Sequence, residues 1–333
     1  MIFLQLFFML LVILVAAELF TNALEHLGGK LKISEGVTGS VFAAIGTALP
    51  ETLIPLLAVF SSHGDTETNH QVGVGAILGA PLMLSTLTMF IMAISVIRHR
   101  GLGGHLKPEK TGLIRDLDFF IFSFIFAGIA LFIPHSSELA RGLIAFLMVF
   151  SYFIYILMTI RASKKLVSEG HTTKASNPMF MERIGLPNNY FVISIQLLIG
   201  LALLVFGAKG FISGIEETSS ILGISALILS MLIIPIATEL PEKVNSIFWI
   251  RKGKDTLAFG NITGAMVFQG TLLPAIGILL TPWEPRKEVY LCIFITLLSA
   301  LWIRVLIQKS NIQVWHLGIN GIFYFIYLYF ALH

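Results

Sequence analysis

The sequence carries one short motif twice, as Thr47-Ala48-Leu49-Pro50-Glu51 and as Thr238-Glu239-Leu240-Pro241-Glu242. When residues 10–60 are aligned with residues 201–251 without gaps, twelve positions are identical. Most of these matches are apolar and carry little weight. A shared Pro-Glu pair is more specific, because both residues are costly inside an apolar helix. The repeat predicts that the chain consists of two related halves.

The composition indicates that most of the protein surface faces lipid. Hydrophobic residues make up 56% of the 333 residues and charged residues only 12%, whereas soluble domains carry about 25% charged residues. This excludes a soluble enzyme, a disordered protein and a nucleic-acid binder. No phosphate-binding loop is present, so no nucleotide partner is expected. The single cysteine, Cys292, excludes a disulfide framework and a cysteine-based metal site.

Ten apolar stretches are long enough to cross a bilayer, which takes about 20 residues. The predicted spans are residues 3–26, 37–60, 72–97, 117–134, 140–161, 190–213, 222–250, 256–280, 288–307 and 312–331. A polar stretch separates the fifth span from the sixth. We therefore predict an all-α integral membrane protein with ten transmembrane helices. It comprises a first five-helix repeat (1–161), a cytoplasmic linker (162–189) and a second five-helix repeat (190–333).

The distribution of basic residues predicts the orientation in the membrane. With an external N-terminus, 17 Lys and Arg residues fall in the predicted inner loops and 4 on the outer side. The positive-inside rule then predicts that both termini are outside and the linker is cytoplasmic, in a plasma or inner membrane. Because each half has an odd number of spans, the halves have opposite orientations. Such inverted repeats are typical of transporters whose binding site lies near the membrane midplane.

Glu51 and Glu242 lie about halfway along the second and seventh predicted spans. A charge at the bilayer centre costs about 2.5–3.5 kcal/mol, so the matched glutamates indicate a function: two facing carboxylates that bind a cation. The alternative is a structural pair that hydrogen-bonds to neighbouring helices. Thr47 and Thr238 lie four residues earlier on the same helix faces, and the prolines free backbone carbonyls nearby. These oxygen donors suit hard cations such as Ca²⁺, Na⁺ or Mg²⁺.

Together these features resemble the calcium/cation antiporter superfamily, which includes the sodium/calcium exchangers. Its hallmark is a repeated Gly-Thr-Ser-Leu-Pro-Glu, followed on the next helix by a Gly-Asn-x-x-Gly-Ser-Asn-type segment. The matching stretches are residues 46–51 with 75–81, and residues 237–242 with 260–266. The resemblance implies an exchanger-like fold and no enzymatic reaction. It also implies secondary-active antiport of Ca²⁺, or another cation, for Na⁺ or H⁺ by alternating access, with these ions as substrates and no cofactor.

The resemblance also implies roles for individual residues. By analogy, the two glutamates are shared cation ligands, the two threonines assist them, and each half offers one backbone carbonyl: Glu51, Glu242, Thr47, Thr238, Ala44 and Pro235. Glu239 and Asn261, at further motif positions, complete the candidate ligand set.

The sequence departs from the family motif at several ligand positions. The motif serine is Ala48 in the first half and Glu239 in the second, and the later Asn or Asp is Pro81 and Met266. Gln269, two turns after the retained motif asparagine and on the same helix face, is a candidate replacement. These changes support a second interpretation. It is an exchanger-fold protein that moves monovalent cations or acts as a non-exchanging cation-binding scaffold.

Lys243 adds a positive charge beside the predicted site. It lies four residues after Glu239, so the two side chains can pair on one helix face. The formal charges of Glu51, Glu239, Glu242 and Lys243 sum to −2. We predict that Lys243 neutralises Glu239 or takes the place of one transported ion, the alternative being extension toward water. Glu18, in the first span, is a candidate gate or proton-binding group, with a structural role as its alternative.

Overall fold

The computed structural model describes residues 2–30, 49–60, 65–167, 178–309 and 312–333. Its first helices are α1 (Ile2–Lys30), α2 (Leu49–Val59), α3 (Thr66–Met83), α4 (Met89–Arg100), α5 (Lys110–Ala130), α6 (Glu138–Val167) and the short α7 (Phe180–Arg183). They are followed by α8 (Tyr190–Leu222), α9 (Ala226–Thr238), α10 (Leu240–Arg251), α11 (Asp255–Leu280), α12 (Lys287–Gln308) and α13 (Val314–Leu332). The π-helical segment Leu84–Thr88 joins α3 to α4, and β1 (His105–Leu106) pairs antiparallel with β2 (Ile312–Gln313).

Seven helical stretches in the described ranges are long and apolar enough to cross a membrane. They are Ile2–Leu24, Thr66–Arg100, Glu138–Ala162, Tyr190–Leu222, Asp255–Leu280, Lys287–Gln308 and Val314–Leu332. Each overlaps a predicted span, which confirms an all-helical membrane architecture. Helix α5 covers most of predicted span 117–134, and predicted span 37–60 is described only from residue 49 onward. The total of ten spans therefore stays a prediction.

The predicted seventh span, residues 222–250, is divided into two helices. Helix α9 ends at Thr238 and α10 begins at Leu240, with Glu239 between them at φ −98° and ψ 11°. The cause is Pro241, which has no N–H to donate to the carbonyl four residues back. Proline is well accommodated in the first turn of a new helix. The break leaves polar backbone groups inside an otherwise apolar span.

Helices α1 and α8 pack along most of their length and run in opposite directions. A Cβ added at Gly200 of α8 would lie 3.0 Å from Phe20 of α1. Further along α8, a Cβ at Gly214 would lie 2.6 Å from Leu6. Later residues of α8 thus lie beside earlier residues of α1, so the two helices are antiparallel. Small residues at such crossings let membrane helices approach closely.

Helix α3 lies at the centre of the bundle, where it contacts α2, α9, α11 and α12. Its residues 72–83 are all buried. In the π-helical segment that follows, the Ser85 carbonyl accepts hydrogen bonds from Ser299 Oγ at 2.7 Å and Asn320 Nδ2 at 2.9 Å. Side chains of α12 and α13 therefore satisfy the irregular backbone and fix the end of α3.

Candidate cation-binding site

The two motif glutamates occupy equivalent places in the two halves. Glu51 lies on α2 and Glu242 in the first turn of α10. They are 4% and 6% exposed. The first amides of a helix have no partner within it, and together with the helix dipole they favour a negative charge. In the second half the Leu-Pro-Glu sequence thus begins a helix and puts a buried carboxyl group at its positive end.

The buried acidic side chains are close enough to interact. The charge of Glu51 interacts with the charges of Glu242, Glu239 and Lys243. Within the described residues, both carboxylate oxygens of Glu51 and Oε2 of Glu242 have no hydrogen-bond partner. Burial of interacting carboxylates is costly unless positive charge compensates them. The arrangement therefore has what a cation site needs, namely shared negative charge and free oxygen lone pairs.

Lys243 supplies part of the positive charge. Its Nζ lies 3.5 Å from Glu239 Oε2 and donates to the Pro235 carbonyl at 2.8 Å. The Sδ atom of Met83 is also 2.8 Å from Nζ. The Lys243 and Glu239 side chains are only 9% and 0% exposed. The predicted pairing with Glu239 is therefore confirmed, and the lysine does not extend to water.

Asn261 faces the backbone of α10. Its Nδ2 donates to the Glu242 carbonyl and to Ser246 Oγ, both at 3.0 Å. Because Asn261 belongs to α11 and both acceptors belong to α10, these bonds tie the two helices together. Gln269, also on α11, is 2% exposed, and its amide faces the Glu239 carboxylate. From the neighbouring helix, Asn261 thus contacts the backbone of Glu242, and Gln269 lies near Glu239.

The remaining predicted site residues lie in different parts of the chain, and not all of them join the acidic cluster. Thr238 is buried at the end of α9. Because the helix breaks at Glu239, the expectation that Thr238 and Glu242 lie one turn apart on a continuous helix is wrong. Glu18 is exposed on α1, so the structure does not bring it into the buried cluster. Three predicted residues lie outside the described residues: Ala44, Thr47 and Ala48.

Sequence reasoning missed two contacts at the site. Met83 touches the Lys243 ammonium group, and Ser246 accepts from Asn261. Met83 stands in an apolar stretch and carries no distinguishing signal. Ser246 follows Glu242 by four residues, the spacing that places two side chains on one helix face, so its proximity was available from the sequence.

The donors around the glutamates are few. Among the residues that the structure describes, no three His, Cys, Asp or Glu side chains form a group that could hold a metal ion. Pro81 and Met266 are buried in α3 and α11, and neither side chain offers an oxygen ligand. In the described part of the chain, the oxygens near the glutamates include the carboxylates of Glu51, Glu239 and Glu242 and the Gln269 side-chain oxygen. Such oxygens suit hard cations.

The fold is that of a helical membrane protein, and its buried acidic cluster is of a kind that marks ion pathways in membrane proteins. Residues 1–161 and 192–333 match the sodium/calcium exchanger protein family, and the chain belongs to that family of cation antiporters. The match covers both predicted halves. It confirms the resemblance drawn from the repeated motif.

Two individual relatives are distant in sequence and match about four fifths of this chain. The chain is 24% identical over 282 residues to the putative antiporter CaxA of Alkalimonas amylolytica, covering 82% of this chain and 79% of that protein. It is 25% identical over 280 residues to the inner membrane protein YrbG of Escherichia coli (strain K12), covering 83% and 78%. The crystal structure of the H⁺/Ca²⁺ exchanger CAX aligns with a TM-score of 0.74 at 17% identity, covering 99% of this chain and 82% of that one. This likeness confirms the exchanger-like fold.

Proposed function

We propose that this protein is a secondary-active antiporter that binds its cation between Glu51 and Glu242. The observation that carries the proposal is the burial of two interacting carboxyl groups with oxygens that have no hydrogen-bond partner in the described part of the chain. A cation between them would compensate both charges at once. Protons or a second ion species would compete for the same oxygens. Competition at one site is a sufficient physical basis for exchange.

Alternating access requires the site to open to each side of the membrane in turn. Two halves of opposite orientation provide the necessary symmetry. The antiparallel packing of α1 and α8 supports this arrangement, as does the repeated Thr-x-Leu-Pro-Glu motif in the two halves. We therefore infer that residues 1–161 and 190–333 are inverted repeats. We place the linker 162–189 in the cytoplasm and both termini outside, in a plasma or inner membrane.

Exchange of Ca²⁺ for Na⁺ or H⁺ is the leading choice of ions. The oxygen donors suit Ca²⁺, and the structurally similar CAX is an H⁺/Ca²⁺ exchanger. Exchange of monovalent cations is the second candidate, and specific observations favour it. Lys243 already supplies one positive charge to the cluster, and the buried Pro81 and Met266 add no ligand oxygen from their side chains.

Reconstitution into liposomes tests both candidates. We expect uptake of radioactive Ca²⁺ or Na⁺ when an opposing Na⁺ or H⁺ gradient is imposed. Glu51→Gln and Glu242→Gln preserve side-chain size but remove the charge, so each should abolish uptake. Glu217→Gln, at an exposed glutamate of α8, should leave uptake unchanged. A wild type that moves no cation under any gradient would end the antiporter proposal and favour a cation-binding scaffold.

A further inference from the structure

The ammonium group of Lys243 is bound where a mobile cation could be bound. Its neighbours are the Pro235 carbonyl at 2.8 Å, Glu239 Oε2 at 3.5 Å and Met83 Sδ at 2.8 Å. The Pro235 carbonyl lies at the end of α9, where the helical hydrogen bond from the Glu239 amide is stretched to 3.3 Å. A carbonyl at membrane depth needs another partner when helical bonding weakens. A carbonyl and a carboxylate together are also donors that a free cation would use.

The burial of Lys243 separates it from ordinary membrane lysines. Its side chain is 9% exposed, so it does not carry its charge to the membrane surface. Its charge interacts with Glu239, Glu242 and Glu51. A lysine that only neutralised Glu239 would cost desolvation free energy, because two apolar residues at these positions would avoid the burial of two charges. Interaction with all three glutamates is also what a cation bound in the cluster would have.

We propose that Lys243 is a tethered cation that fills a subsite formed by the Glu239 carboxylate and the Pro235 carbonyl. Only the subsite between Glu51 and Glu242 then exchanges its ion. Because the ammonium group is covalently attached, it is never released, and each cycle carries one cation fewer than the same site would without the lysine. The consequence for transport rests on the proposed antiport function, whereas the filled subsite is a binding property that can be measured without transport.

Lys243→Met, a neutral change of similar length, tests the proposal by opening the subsite to a free cation. Each ion that binds only the folded protein raises its stability with ion concentration. In detergent, the melting temperature of Lys243→Met should therefore rise more steeply with the logarithm of Na⁺ or Ca²⁺ concentration than that of the wild type. In liposomes, the variant should move one additional cation per cycle. Lys209→Met, at an exposed lysine of α8, should match the wild type in both assays.

Two further variants identify the subsite. Lys243→Arg keeps the positive charge and should keep the wild-type slope. The double variant Glu239→Gln/Lys243→Met removes the carboxylate that would hold the extra ion, so it should return to the wild-type slope. Lys243→Gln serves for the comparison if Lys243→Met does not fold.

The outcomes separate this proposal from the antiport proposal. The tethered-cation proposal would be overturned if Lys243→Met changed neither the slope of melting temperature against ion concentration nor the number of cations moved per cycle. It would also be overturned if the double variant kept the steeper slope. A wild type without flux would overturn antiport, while the slopes measured in detergent would still decide the role of Lys243.

Discussion

At the residue scale, Glu242 is held through its backbone while its carboxylate stays available. Asn261 donates to the Glu242 carbonyl and to Ser246 Oγ one turn further along α10. These bonds fix the first turn of the helix. In the described part of the chain, Oε2 of Glu242 has no partner. A fixed backbone that carries a free carboxylate oxygen suits a site that must bind an ion and release it.

We expect Asn261→Ala to weaken cation binding by about 10–100-fold, the usual effect of losing a residue that orients a ligand. The maximal rate should fall less, because Glu51 and Glu242 both remain. The KM for cation uptake in liposomes measures the effect. Asn245→Ala, at an exposed asparagine of α10, is the matched control. Equal KM values in the two variants would contradict a positioning role for Asn261.

Some of these residues could be predicted from the sequence and others could not. Glu51 and Glu242 stand out because a repeated Pro-Glu pair is rare in apolar stretches. The contacts of Asn261 could not be predicted, since an amide can donate or accept and only geometry decides. The contact between Met83 and Lys243 joins residues 160 positions apart. The chain contains 11 methionines, and nothing in the sequence distinguishes this one.

At the element scale, the break between α9 and α10 brings Glu239 and Lys243 into the bundle. The proline rule predicts a weakened helix before Glu242, but it does not say whether the helix kinks or ends. Here the helix ends, and Lys243 Nζ donates a hydrogen bond to the Pro235 carbonyl beside the break. This hydrogen bond comes from a side chain two residues after Pro241, and it reaches a carbonyl whose bond from the Glu239 amide is stretched to 3.3 Å. The pattern of apolar residues does not indicate which side chain bonds to a backbone carbonyl or where a helix ends. The sequence therefore predicted one span where the structure has two helices.

The crossing of α3 and α9 depends on Gly79. A Cβ there would lie 2.7 Å from Met231 Cα and 2.8 Å from its carbonyl carbon. Backbone atoms of a packed helix cannot move away by a change of rotamer, as a side chain can. We therefore expect Gly79→Ala to lower the free energy of unfolding by about 1–3 kcal/mol. The melting temperature in detergent measures this loss.

Gly142→Ala in α6 is the control for this crossing. Among the described atoms, a Cβ at Gly142 would meet nothing within 4 Å, and alanine in a helix is more favourable than glycine. Equal melting temperatures for the Gly79 and Gly142 variants would mean that α3 and α9 can separate without cost.

At the scale of the whole molecule, two large apolar cores organise the described helices, beside a minor cluster of Ala23, Met179, Val192 and Ile193. The larger core draws on α4–α6 and α11–α13, the smaller on α1, α2 and α8, and both include residues of α3 and α9. The sequence predicted apolar spans but not which spans share a core, because lipid and protein interior are similarly apolar. Within their most apolar windows, Thr66–Arg100 is 78% buried and Glu138–Ala162 only 22%. That contrast is a property of the assembled bundle.

Ion pairs join the predicted halves of the molecule, and two of them differ sharply in exposure. Arg100 of α4 donates to both carboxylate oxygens of Asp255 of α11, at 3.0 and 2.8 Å, and the Lys107 amide adds a bond of 2.8 Å. Arg304 of α12 pairs with Asp118 of α5 at 2.6 Å. The Asp255 side chain is 7% exposed and the Asp118 side chain 51%. The two pairs therefore offer a matched comparison of a buried and an exposed connection.

We expect Asp255→Asn to cost about 1.5–3 kcal/mol of stability, because it removes the charge from a buried set of hydrogen bonds. Asp118→Asn should cost about 0–1 kcal/mol, since water screens an exposed pair and replaces its bonds. Thermal unfolding in detergent at low and high salt measures both, and high salt should shrink only the Asp118 effect. If both variants melted alike and responded equally to salt, the buried pair would not be what fastens α4 to α11. The contact between the halves would then rest on the apolar packing of α3 against α9 and of α1 against α8.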